Sequence, residues 1–280
     1  YEGINGIGVL QGLNIEAQGD RVIFSKTLAD GIVFERTIAF TNDYLLAVRD
    51  RFINSGSTSW KMPGARILTG RMRNPADMKT MKGISILGVD SYTPAGGINY
   101  WGRKLNSLFK QADKPETIDA VPEEMHNEVV DWVATKNKFF VQILSPQEPE
   151  ATMSVLSSRN MSEKGIVPTS IAAALVFNSD TLDAGETLER NYTCFIGPKK
   201  YSILKAAGNN MEGVMEFETI GFWSFMNWLM EPARKSLLWT LNLFHGVVRN
   251  YGIAIILLTL LVRILFWPLT HKSTESMKRM

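Results

Sequence analysis

The stretch "GIVFERTIAFTNDYLLAVRDRFIN", residues 31–54, decides the fold class. Two runs rich in β-branched and aromatic residues, 31–40 and 44–54, flank Thr-Asn-Asp, the pattern of strands joined by a turn. In the second run Leu46, Val48, Asp50 and Phe52 share one face, and Leu45, Ala47, Arg49, Arg51 and Ile53 share the other. The alternation is imperfect, which suits a strand covered partly on both sides, as in a sandwich.

Similar runs extend outward from this pair: "DRVIFSK" (20–26), "KMPGARILTG" (61–70), "DWVATKNKFFVQILSP" (131–146), "SIAAALVFNSD" (170–180) and "ETLERNYTCFIGPK" (186–199). "TLDAGET" is a turn with Gly185 at its tip, and "KKYSILKAAGNN" (199–210) reads as a closing helix capped by Gly208 and Asn209. Residues 71–131 are rich in turn formers, with one short helical candidate near 101–111. The first 213 residues are therefore expected to form a mainly β sandwich domain.

Composition narrows the function. With 30 Lys+Arg against 28 Asp+Glu the net charge is +2, and no basic stripe with interleaved aromatics stands out, so nucleic-acid binding is not expected. The single cysteine, Cys194, excludes an internal disulfide and a cysteine-based zinc site, and reads as a small, buried side chain in a strand. Neither a metal nor a cofactor site is expected. The chain starts at Tyr1 and ends in "HKSTESMKRM" without a helix-ending signal, so it reads as an excerpt of a longer chain.

From about residue 214 the period changes. "GFWSFMNWLM" (221–230) is uncharged and aromatic, and "EPARKSLLWTLNLFHGVV" (231–248) follows with Pro232 suited to a first helical turn. Leu237, Leu238, Leu241, Phe244 and Val248 recur at helical spacing while Lys235, Asn242, His245 and Arg249 keep to other faces. The region 214–250 is thus expected to hold an amphipathic interfacial helix, with packing on the β-domain as the alternative.

Residues 251–269 carry one charge, Arg263. A helix of about 18 residues covers some 27 Å, near the thickness of a hydrocarbon core. The aromatics Trp223, Trp228, Trp239 and Trp267 around it suit membrane interfaces. Arg263 has two readings. It can snorkel toward Trp267, or it can face a water-filled cavity, where Thr259, four residues earlier, shares its face.

"YGIAIILLTLLVRILFWPLTHKSTESMKRM" resembles the first core transmembrane helix of the YidC/Oxa/Alb membrane protein insertases. The resemblance rests on Tyr251-Gly252, Thr259, Arg263, Pro268-Leu269-Thr270, and Met277 with Met280. "FIGPKKYSILKAAG" resembles the end of that family's periplasmic domain, and 221–252 resembles its interfacial helix.

The resemblance implies a bacterial inner-membrane protein with a periplasmic β-supersandwich at 1–213, its N-terminal part missing. A transmembrane helix at 251–269 and the start of a cytoplasmic hairpin at 270–280 would follow. It implies a non-enzymatic insertase or chaperone with a hydrophilic intramembrane groove. Arg263 would be the groove cation, Thr259 a substrate-contacting hydroxyl, Pro268 the helix exit, and Gly252 a structural residue. Its partners would be nascent membrane proteins, the Sec translocon, membrane lipids, and the ribosome through regions outside this chain.

Two other classes compete. A supersandwich resembles sugar-active enzymes and lectins, but the one histidine of the β-region, His126 beside Glu123, Glu124 and Glu128, reads as a solvated face. The other class is a single-span anchor whose ectodomain binds a periplasmic ligand such as a glycan.

Overall fold

The computed structural model describes residues 4–5, 7, 12–42, 44–73, 87–101, 118–119, 129–147, 151–162, 165–216 and 227–278. The chain divides into two compact units, Tyr1–Met215 and Glu216–Met280. The helical candidate near 101–111, His126 and Trp223 lie outside the described residues.

The first unit is a β-sandwich, as its alternating runs require. Its strands are β1 (Asn14–Gln18), β2 (Arg21–Thr27), β3 (Ile32–Asn42), β4 (Leu45–Asn54), β5 (Trp60–Met62), β6 (Ala65–Leu68), β7 (Gly88–Thr93) and β8 (Gly97–Tyr100). They continue as β9 (Ile118–Asp119), β10 (Trp132–Lys136), β11 (Phe140–Pro146), β12 (Thr152–Ser162), β13 (Gly165–Phe177), β14 (Asp180–Leu182) and β15 (Thr187–Pro198). A nine-stranded sheet runs β1-β2-β3-β4-β15-β11-β10-β7-β8, a four-stranded sheet runs β6-β13-β12-β9, and β14 pairs β5.

Residues 31–54 form the expected pair, with Ile38 opposite Val48 and Phe34 opposite Phe52. "KMPGARILTG" is not one strand. It splits into β5 and β6, which belong to different sheets. Pro63 offers no amide proton to a ladder, so the run breaks where the two strands diverge. The pattern at 71–131 hid the β7–β8 hairpin, whose Gly97 sits at φ +72° in the turn. "DWVATKNKFFVQILSP" is likewise a hairpin. The Asn137 carboxamide oxygen accepts the Phe139 and Phe140 amides at 2.9 and 2.8 Å and sets the turn.

The main core lies between the two large sheets and includes Val48, Val89, Val133, Leu144, Ile171, Leu175 and Tyr192. A second core, Trp132, Ala134, Val141, Ile143 and Phe195, is covered on the opposite face of the large sheet. The cover is α1 (Tyr201–Ala207) and a 3-10 turn, Met211–Met215, which supply Leu204, Met211 and Val214. Gly208 ends α1 at φ +81°, as expected of a C-terminal glycine. A Cβ on Gly213 would fall 1.8 Å from Ile98 Cδ1, so a side chain there would require Ile98 to shift.

Among the described residues charge is buried at Arg190, which lies over the Phe177 ring, and in two ion pairs. Asp50, on the core-facing side of β4, is fully buried. Its carboxylate accepts Arg36 Nε at 2.7 Å, Arg36 Nη2 at 2.9 Å and the Tyr192 hydroxyl at 3.1 Å. The imperfect alternation at 45–54 thus comes from an ion pair set into the sandwich. Asp90 pairs with Lys136, and the Lys136 ammonium also donates to the Val214 carbonyl at 3.1 Å and lies 5.1 Å from the Tyr100 ring centroid.

Cys194 is half-buried on β15. Burial pushes its thiol up to about 11, with the Arg36 charge pulling weakly the other way. At pH 8 alkylation by iodoacetamide is expected to run about a hundredfold slower in the native state than in the unfolded chain, because the thiolate fraction falls in that ratio. The raised value also sets a sign. The stabilisation it reflects is complete below the ordinary value of 9.0 and is lost as pH rises toward 11.

Candidate membrane-embedded site

The second unit contains α2 (Asn227–Val248) and α3 (Tyr251–Lys278). Leucine and isoleucine are the commonest residues of α3, with leucine the stronger helix former, and the helix start is fixed by Asn250, whose side-chain oxygen accepts the Gly252 amide at 2.8 Å. Gly252 lies inside that cap, where a Cβ would approach the Asn250 oxygen to 3.2 Å. His245 of α2 stacks on Tyr251 with ring centroids 3.8 Å apart, and Ala254 is fully buried.

The two helices depart from expectation at their prolines. Pro232 is not in a first turn, because α2 already begins at Asn227. Pro268 does not end its helix, because α3 continues through it to Lys278. A proline removes one amide donor but leaves the flanking turns intact, and the residues on both sides of each proline are helix-competent. The helix therefore runs on beyond Pro268 instead of ending there. A transmembrane window still closes there, at Tyr251–Pro268.

Only 6% of that window is buried within this chain. Ile255, Ile256, Leu261 and Leu265 are 45–70% exposed and lie on several faces. Apolar side chains exposed all around a helix match a lipid environment rather than water. On α2, Leu238, Leu241, Phe244 and Val248 form a half-buried face, as their spacing predicts, whereas Leu237 is exposed. Sequence reading missed a second stripe, Trp239, Leu243 and Val247 at four-residue spacing, which is exposed. Its signal was present in the sequence, but Thr240 and Asn242 interrupt it in the linear pattern.

Thr259 and Arg263 lie one turn apart on α3, so the structure places them on one face. Thr259 donates its hydroxyl proton to the Ile256 carbonyl at 2.7 Å, which leaves the oxygen lone pairs directed outward as acceptors. Arg263 is exposed and makes no hydrogen bond or ion pair among the described residues. The site therefore offers five donors from a guanidinium and one hydroxyl acceptor on an apolar helix. Trp239 and Trp267 are each 66% exposed on their helices, while the side chain of Trp228 is not described.

Comparison with known proteins covers both units. The family described as YidC periplasmic domain matches residues 11–232, and the family described as 60Kd inner membrane protein matches residues 243–280. Among curated relatives, the membrane protein insertase YidC of Syntrophus aciditrophicus is 35% identical over 193 residues, covering 68% of this chain and 31% of that protein. That of Geotalea daltonii is 29% identical over 259 residues, covering 92% of this chain and 42% of the relative. The chain thus spans less than half the length of these relatives. Among solved structures, a GH36 α-galactosidase from Geobacillus stearothermophilus aligns with 68% of this chain and 26% of its own at a TM-score of 0.32 and 11% identity.

Proposed function

Because this chain belongs to the YidC family of inner-membrane insertases, with a periplasmic β-domain and a membrane-length helix, we propose that it acts within a full-length protein that inserts and folds other membrane proteins. The observation that carries this reading is an exposed Arg263, without a partner among the described residues, with Thr259 on the same face of an otherwise apolar helix. A guanidinium at the centre of hydrocarbon costs about 2.5–3.5 kcal/mol on insertion scales, so its retention calls for polar surroundings in the assembled protein. A hydrophilic groove lined by Arg263 and Thr259 supplies them. Acidic or polar stretches of a nascent chain are stabilised there, which lowers the cost of moving them part-way across the bilayer.

No covalent bond is made or broken in this scheme, so the protein is not an enzyme. The β-domain lies in the periplasm and the chain beyond Pro268 enters the cytoplasm. Trp223, Trp228, Trp239 and Trp267 hold the interfaces, and Gly252 keeps the start of α3 compact. The partners are nascent membrane proteins, lipids and the Sec translocon, with the ribosome engaged through regions outside this chain.

A photo-crosslinking residue in place of Thr259, in the full-length protein, is expected to capture a stalled nascent membrane protein. A crosslinker in place of lipid-facing Leu265 is expected to give lipid adducts instead. Lipid adducts alone from position 259 would overturn the groove reading and leave α3 as a simple anchor.

A further inference from the structure

The β-domain carries an apolar rim that neither sheet covers. Phe40, Phe139, Phe140 and Ile196 are 64, 50, 54 and 48% exposed, and all lie at one end of the central strands. Register brings them together across β3, β4, β15 and β11. Phe40 faces Leu46, Leu46 faces Cys194, and Ile196 follows two residues along β15 on the same face. Gln142 faces Ile196 and Phe140 faces Pro198, while the Lys199 amide donates to the Phe139 carbonyl at 2.7 Å. Cover from the β6 side reaches Gln142, whose side-chain oxygen accepts the Gly70 amide at 2.5 Å, and Phe140 beyond it is exposed.

Cations surround the rim. Lys138 Nζ stands 5.2 Å from the Phe139 ring centroid, and Lys199 and Lys200 follow the end of β15. Arg21 is also at this end, paired with Asp20, whose carbonyl accepts the Phe40 amide at 3.4 Å. The charge balance of these residues is positive.

We propose that this rim docks on the surface of the bilayer, with Phe139, Phe140, Phe40 and Ile196 among the upper acyl chains and Lys138 and Lys200 on anionic headgroups. The chemistry fits that occupant. The rim is rich in aromatic side chains with no hydrogen-bonding group, and it is edged by cations, of which Lys138 lies over the Phe139 ring. A bilayer is also a constant neighbour, because α3 of the same chain is built to cross one, and tethering raises its effective concentration. The proposal rests on α3 spanning the membrane and not on substrate handling in the groove.

The test uses the full chain with Cys194→Ser, one copy per nanodisc, and a nitroxide at Phe139→Cys or Phe40→Cys. Ala184→Cys, in the exposed turn before the start of β15, is the control. Labels at 40 and 139 are expected to be roughly fivefold less accessible than that at 184 to a water-soluble nickel chelate, and more accessible to oxygen, above all with phosphatidylglycerol present. Adding Phe139→Ser and Phe140→Ser to the label at 40 should abolish that protection while cooperative unfolding is retained. Equal chelate access at 40, 139 and 184 overturns the proposal. So does protection that arises in detergent and grows with protein concentration, which assigns the rim to a second copy of the chain.

Discussion

Replacing Asp90 by alanine is expected to cost the β-domain about 3–5 kcal/mol, because it strands a buried ammonium. Lys136 is 4% exposed and Asp90 is 1% exposed, so water cannot take over the role of the carboxylate. The lysine stem passes over Gly88, where a Cβ would meet Lys136 Cε at 3.1 Å. The ammonium would keep only the Val214 carbonyl and the Tyr100 ring among the contacts described above, and neither neutralises its charge. Urea unfolding of the full chain in detergent, followed by tryptophan fluorescence, reads the loss as a lowered midpoint at unchanged slope. The double variant Asp90→Ala with Lys136→Met should recover much of it, since an apolar pair of similar volume removes the stranded charge. A single-variant loss below about 1 kcal/mol would show that the pair is not held dry.

Replacing Arg263 by leucine is expected to have opposite effects on the helix and on the function. On insertion scales arginine at a helix centre stands at about +2.5 to +3.5 kcal/mol and leucine below zero, so α3 itself should enter the membrane more readily. The full-length protein should nevertheless lose substrate insertion, because the proposed groove would no longer offer a cation to acidic or polar stretches of the nascent chain. Arg263→Lys keeps the charge but gives up the planar fork of donors, and is expected to keep part of the activity. Thr259→Val removes one acceptor and should weaken insertion less than the loss of the charge. The measurement is growth and substrate insertion after depletion of the host insertase. A leucine variant that supports wild-type growth would sink the essential role of the cation, whereas improved insertion with full function would favour a plain anchor.

What the sequence alone determined follows from local periods. Alternation over 20–54, turn residues such as Gly185, and the four-residue step from Thr259 to Arg263 each depend on neighbours a few positions away. They therefore read directly as strands, a turn and a shared helical face. Family resemblance at 195–280 was legible for the same reason, since its motif is contiguous. Tertiary structure decided the rest, because it depends on distant partners. Asp50 looked like a fault in the alternation until Arg36 and Tyr192 met it in the core, the latter from 142 residues away. The split of 61–70 between two sheets, and the pairing of β4 with β15, arise from long-range ladders that no local pattern encodes. Pro268 shows the opposite limit. A local breaker was read as a stop, but flanking helical turns carried α3 past it, since one missing donor is a smaller loss than ending the helix. The rim of Phe40, Phe139, Phe140 and Ile196 lies scattered in sequence and becomes one surface only when four strands align, because register alone sets which side chains share an edge.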